Sequence, residues 1–251
     1  MLFPEVGKTK QYNFKGIGGN MRIYQSTIEA AKELARELKE MGIQYQSTTV
    51  QDKFVGDNPD FITLELTGYS YCINQWEDLD DLIDHMELNR AWVYAEQDDR
   101  LGFGITNKNP GYAWKKNKGF WEQFLRDGFF SYSYPERWQA QIPYIIQELK
   151  LRPNTRQAVM SFYESTKDMM NWGGRDRVPC SLTYHFLIRD GKLNLIYTQR
   201  SCDYTLFYGS DVYLTIRLLE YVAEKVGVEC GSFFHQIGSL HCFKGQVAGM
   251  F

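Results

Sequence analysis

The chain has 251 residues and sets 28 Lys and Arg against 31 Asp and Glu, a net charge of −3. That balance leaves no global basic field to draw nucleic acid, and no apolar run is long enough to span a membrane. A hydrophobic share of 43% with 24% charged residues fits one soluble globular domain over residues 1–251.

The first twenty residues are polar, with Gly16, Gly18 and Gly19 reading as a turn because no Gly-Lys-Ser/Thr follows. Ser26 to Met41 reads as a helix. Ser26 and Glu29 make a capping-box pattern, Ile28, Ala31, Leu34, Ala35 and Leu38 form one apolar face, and Gly42 supplies a left-handed stop. Lys53 falls in a loop, either a solvated charge or a ligand contact. An alternating strand follows from Phe61 to Leu66. Glu77 to about Ala95 reads as a second helix with Leu79, Leu82, Ile83 and Met86 inward. Glu87 beside that stripe is either an exposed helix glutamate or a partly buried carboxylate able to carry protons.

Residues 100 to 135 are rich in Gly, Asn, Lys and aromatics and read as long connections. A third helix is expected from Trp138 to Lys150 with Pro143 near its start, then a strand from Arg156 to Glu164. Arg156 at the strand's start is a surface residue or an oxyanion clamp. Leu182 to Ile188 and Leu193 to Tyr197 flank Asp190-Gly191, the signal of a type I′ hairpin. Asp211 opens a helical stripe that runs out at Gly227, and Cys230 to His241 is the last strand-like run. The cysteines at 72, 180, 202, 230 and 242 are odd in number and form no C-x-x-C pair. They favour a reduced, cytoplasmic protein over a disulfide framework or a metal site.

Taken singly these polar residues have plain explanations: Cys180 as a small buried group, Asp211 as a helix cap, His241 as a strand histidine. Their order is more specific. Tyr134-Pro-Glu-Arg-Trp138, the run from Gln141 to Leu151-Arg-Pro-Asn-Thr-Arg156, Pro179-Cys180, Gln199-Arg-Ser-Cys-Asp203, Asp211 and Gly238-Ser-Leu-His241 occur in sequence. In this the chain resembles the thymidylate synthase family, from about Tyr134 to His241.

The resemblance implies an α+β fold, three-layered (α/β/α-like) in outline, with a large mixed sheet packed by helices and one sheet face used for homodimerisation. It implies a pyrimidine nucleoside monophosphate as substrate and 5,10-methylenetetrahydrofolate as co-substrate, with no metal. Cys180 is the expected nucleophile on C6 of the ring. Arg200 and Ser201 would grip the 5′-phosphate, joined by Arg156 from a partner subunit and by Lys53. Thr155-Arg156 stands where many members have two arginines. Asp203 would face the pterin, Glu87 would handle protons and His241 would bind the substrate.

Asp211 stands where thymidylate synthases carry asparagine. An amide matches the N3–H and O4 of uracil, whereas a carboxyl group accepts from N4 of cytosine and shares a proton with its N3. Gly238-Ser239-Leu240-His241 is similar to the phage deoxycytidylate hydroxymethylases; synthases usually have Gly-Asp before the histidine. The expectation is therefore a cytidylate hydroxymethylase, with dCMP favoured over CMP. C5-methylation of dCMP or dUMP, or a silent nucleotide-binding relative, are the alternatives. The short segment after His241 is expected to admit water to the site, and Phe243 replaces a tyrosine that helps bind the sugar.

Overall fold

The computed structural model describes residues 21–46, 49–50, 53–54, 56, 58–103, 107–171 and 177–249. The glycine turn expected at Gly16, Gly18 and Gly19 lies outside them. In chain order the elements begin with β1 (Arg22–Tyr24), α1 (Thr27–Met41), β2 (Ile43–Gln46), β3 (Thr49–Val50), β4 (Lys53–Phe54) and β5 (Ile62–Ile73). They continue through α2 (Leu79–His85), α3 (Arg90–Leu101), α4 (Lys118–Trp121), α5 (Tyr134–Leu151), β6 (Val159–Ser161) and α6 (Ser165–Asp168). The hairpin β7 (Ser181–Arg189) and β8 (Lys192–Asp203), helix α7 (Gly209–Val226) and strand β9 (Glu229–Phe243) complete the chain.

Local chemistry explains most of these boundaries. Ser26 accepts the Glu29 amide at 3.0 Å, while the Glu29 carboxylate reaches back to the Gln25 amide at 2.6 Å. At the other end Gly42 corrects the expected left-handed stop: φ is −60° and the chain runs straight into β2. Glycine is needed there because an added Cβ would collide with the Leu38 carbonyl. The helix expected from Glu77 to Ala95 is two helices. Glu87 takes φ +50°, and Asn89 starts α3 by accepting the Trp92 amide at 3.0 Å. Helix α5 begins a turn earlier than expected, with Pro135 in its first turn, where a missing N–H is harmless, so Pro143 falls mid-helix. The strand expected over Arg156 to Glu164 shrinks to β6, an edge strand paired only with β7. Conversely, β5 continues past Leu66 to Ile73 because β9 pairs with it along that length.

Seven strands form one mixed sheet in the order β1-β5-β9-β8-β7-β6, with β2 also pairing β5. β8 and β9 run parallel, while β5–β9 and β7–β8 are antiparallel. Asp190 and Gly191 turn the β7–β8 hairpin with φ of +52° and +76°, as a type I′ turn requires. Along β7 and β8, Tyr184, Phe186, Ile188, Leu193, Leu195 and Tyr197 are buried beneath α5 and α7, while Thr183, His185, Asn194 and Thr198 lie on the half-buried opposite face. A one-residue slip would expose that buried row at about 1.5–3 kcal/mol per side chain. Register is thus fixed by the core, and the functional side chains ride on it. Among the described residues no helix is long and apolar enough to cross a membrane.

Candidate active site

The C-terminal ends of the parallel strands β8 and β9 meet the N-terminus of α7 and the start of β7 around a cavity of about 1020 Å³. Cys180, Arg200, Ser201, Asp203, Asp211 and His241 all line it. They come from segments spread over some sixty positions, brought together by the crossover from β8 through α7 to β9.

Cys180 sits just before β7, half-buried and free of any disulfide. Arg200 holds its loop by three bonds. The Arg200 amide donates to the Cys180 carbonyl at 2.8 Å, and the guanidinium donates to the Pro179 and Val178 carbonyls at 2.8 and 2.9 Å. Burial pushes the Cys180 thiol up; Arg200 opposes this, Asp211 adds to it and Arg177 opposes it again. Arg177 is held against an aromatic wall, its guanidinium 4.5 Å from the Trp121 ring and 5.1 Å from Phe124.

The close contact of β8 and β9 depends on Gly238, where a Cβ would lie 2.7 Å from the Arg200 carbonyl. Gly238→Ala is expected to push Arg200 and Ser201 out of place, costing ~1–3 kcal/mol of stability and weakening nucleotide binding. Thermal melting and nucleotide titration of the variant check this. Downstream, Ser239 donates to the Glu65 carboxylate, and the Ser239 hydroxyl and carbonyl lie 3.4 Å from Nδ1 of His241. Asp203 takes the amides of Thr205 and Leu206 and the Thr205 hydroxyl on Oδ1, which closes the turn after β8.

Asp211 is in the first turn of α7 and makes no side-chain cap; the residue preceding that helix is Tyr208. Its Oδ2 instead accepts Nε2 of Gln199 at 2.7 Å. Burial raises its carboxyl to about 6, against the pull of Arg100, the Gln199 hydrogen bond and Arg177. A helix-capping aspartate exposed to water would not be held there.

Two expected residues, Glu87 and Arg156, do not join the cavity wall. Glu87 is exposed in the left-handed linker between α2 and α3, because the stripe it was thought to continue ends at that break. Arg156 is exposed between α5 and β6, its carbonyl 3.1 Å from Nε2 of His185. Lys53 belongs to the β3–β4 ribbon rather than a loop, and its side chain lies outside the described ones.

In place of Glu87 the cavity receives Glu96 and Arg100 from α3, bonded at 2.7 Å. Trp92, Glu96 and Arg100 recur every four residues, the spacing of one helix face, so the signal was present in the sequence. The Arg100 guanidinium is also 4.5 Å from the Tyr134 ring. Trp92 stacks on Trp121 at 5.7 Å, and Phe120, Phe124, Phe130 and Phe207 extend the apolar side. One end of the cavity is therefore polar and built on the sheet; the other is flat and aromatic.

Comparison with known proteins agrees with this geometry. The thymidylate synthase family model matches residues 70–250. A Methanocaldococcus jannaschii protein named "Putative thymidylate synthase" is 37% identical over 115 residues, 45% of this chain and 52% of the relative. The deoxyuridylate hydroxymethyltransferase of Bacillus phage SP01 is 33% identical over 170 residues, 61% of this chain and 41% of that protein. The thymidylate synthase of Oenococcus oeni is 28% identical over 183 residues, 63% of this chain and 56% of that enzyme. The chain thus spans about half the length of the curated relatives it matches. With the family model covering most of the sequence, and cysteine, arginine and aspartates converging on one cavity, the chain belongs to the thymidylate synthase family.

Proposed function

We propose that the protein adds a one-carbon unit to C5 of a cytidine monophosphate, dCMP in preference to CMP, and leaves it as hydroxymethyl. The observation that carries this reading is Asp211, a half-buried carboxyl in the same cavity as Cys180, anchored by Gln199 and raised to about 6 by the desolvation of that site. A carboxyl that can be neutral near physiological pH presents a donor to N3 of cytosine and an acceptor to its N4 amino group.

The chemistry follows from the residues present. C5 of a pyrimidine is a poor nucleophile until Cys180 Sγ adds to C6 and sends the ring electrons to C5. The co-substrate 5,10-methylenetetrahydrofolate supplies carbon at the oxidation level of formaldehyde. C5 bonds to that carbon, the C5 proton leaves, and tetrahydrofolate departs with the carbon–nitrogen bond electrons to leave an exocyclic methylene; water adds to this methylene, and expulsion of the Cys180 thiolate restores the ring. Glu96 takes the proton-handling part expected of Glu87, since among the described residues it is the glutamate on the cavity wall. The flat rings of Trp92, Trp121 and Phe207 suit a pterin, and Asp203 accepts its donors. Arg200 and Ser201 hold the 5′-phosphate, and His241 contacts the nucleotide. Arg156, exposed and away from its own cavity, reaches the phosphate of a second subunit across the half-buried sheet face, with Lys53 completing the grip.

A second reading rests on the named relatives, which include a deoxyuridylate hydroxymethyltransferase and a thymidylate synthase. Incubation with dCMP, CMP and dUMP plus methylenetetrahydrofolate, read by mass spectrometry, separates the two. A hydroxymethyl gain on cytidylate supports the first. Product from dUMP alone, or a methyl gain with release of dihydrofolate, overturns it.

A further inference from the structure

Behind the cavity wall runs a row of hydrogen-bonded groups that the proposed chemistry leaves unused. Gln199 is only 1% exposed and bridges Asp211 to His235, which is fully buried. The Gln199 Nε2 donates to Asp211 Oδ2 at 2.7 Å, and its Oε1 lies 3.0 Å from His235 Nε2. His235 Nδ1 is 2.9 Å from the Tyr71 hydroxyl, and the Tyr208 hydroxyl is 3.1 Å beyond that. The imidazole stacks on Tyr197, with centroids 4.4 Å apart and planes 8° from parallel.

The chemistry of these groups restricts the arrangement. Burial pushes His235 down to about 3, so the ring is neutral and carries one N–H. With Gln199 Oε1 against it, Nε2 carries that hydrogen, and the bare Nδ1 accepts the single hydrogen of the Tyr71 hydroxyl in place of the Tyr208 oxygen. Held this way, Gln199 presents its NH₂, never its oxygen, to Asp211.

The orientation matters because a neutral carboxyl has one donor and one acceptor. With hydrogen on the oxygen facing N3 the group matches cytosine; with hydrogen on the oxygen facing position 4 it matches uracil. An N–H aimed at Oδ2 makes Oδ2 the acceptor and assigns the hydrogen to Oδ1. A Gln199 turned by half a rotation would reverse the pattern.

We propose that His235 is the positioning residue for base choice: by donating to Gln199 Oε1 it locks the amide, and through it the donor and acceptor oxygens of Asp211. This deepens the reading of Asp211 as the residue that contacts the base, and rests on it.

The test is equilibrium binding of dCMP and dUMP to wild type, His235→Phe and His235→Gln. Phenylalanine keeps a ring against Tyr197 and loses the N–H. The ratio of the two affinities is expected to fall toward one by about tenfold or more, the scale of a mismatched buried polar pair. Glutamine, which can donate an N–H to Gln199, should recover most of the ratio. Gln199→Met, similar in length, removes the intermediary and should give the same collapse if His235→Phe does not fold. A wild-type ratio in either folded variant overturns the proposal, even if both affinities drop together. The wild-type ratio itself tests the cytidylate reading, whereas the change in ratio tests His235 whichever base the wild type prefers.

Discussion

Cys180→Ala is expected to lower product formation by roughly 10⁴-fold or more while leaving nucleotide affinity within a few-fold of wild type. The asymmetry follows from the site's construction. Arg200 binds the carbonyls of Val178, Pro179 and Cys180, so the loop keeps its shape without the thiol. Base and phosphate contacts fall to other residues, and only the bond to C6 is lost. Exchange of the C5 hydrogen of dCMP into deuterated water isolates that step, because it needs the covalent adduct and no folate. The wild type should exchange and Cys180→Ala should not. Near-normal turnover by the variant would discard the covalent route altogether.

The thiol's setting also bears on how fast that step is. Burial favours the neutral form, and the two arginines beside it pull the other way from different segments. Arg200 is doubly committed, to the loop carbonyls and to the expected phosphate. Arg177, on its aromatic wall, is free of the first duty. Thiolate formation is thus set by residues on the loop and on β8 rather than by a neighbouring base.

Cys180, Arg200, Ser201, Asp203, Asp211 and His241 were legible in the sequence because each lies where a strand or helix begins or ends, in an order few proteins share. Glu96, the glutamate we propose for proton handling, was not. The apolar stripe of α2 runs on in register as far as Glu87, and nothing in periodicity reveals that Glu87 takes a positive φ. The clue was Asn89, a helix-starting residue, which moves the next inward face to Trp92, Glu96 and Arg100. The Gln199–His235 contact was hidden for a different reason. It joins residues 36 apart on neighbouring parallel strands, and only the β8–β9 register brings them together. Position 235 by itself looks like any core histidine. The same holds for Asp211: its place at a helix start was visible, but its bond to Gln199 in place of a helix cap comes from the packing of α7 on β8.

Asp211→Asn is the substitution expected to redirect the enzyme. With Gln199 freed by His235→Phe to turn its oxygen toward the new amide, the asparagine NH₂ and oxygen match O4 and N3–H of uracil, so in that double variant kcat/KM for dUMP should rise relative to dCMP by about tenfold or more. An unchanged preference for cytosine would remove Asp211 as the discriminating group. The pH dependence gives an independent check, with its sign set by burial. A carboxyl near 6 is neutral below that pH and ionised above it, while desolvation of the half-buried Cys180 thiol holds it protonated past neutrality. Turnover of dCMP requires the neutral carboxyl and the thiolate together. Its kcat/KM should climb about tenfold per pH unit below 6, as thiolate accumulates, and level off above 6 as Asp211 ionises. In Asp211→Asn the climb on dUMP should continue without a break at 6. Stability should move in the same window. Between the unfolded carboxyl value near 4 and the folded value near 6, rising pH ionises only the unfolded state, so wild type loses up to about 3 kcal/mol that the asparagine variant keeps. Melting curves at pH 4 and pH 8 should therefore show a gap between the two proteins that widens with pH, with the variant gaining relative to wild type.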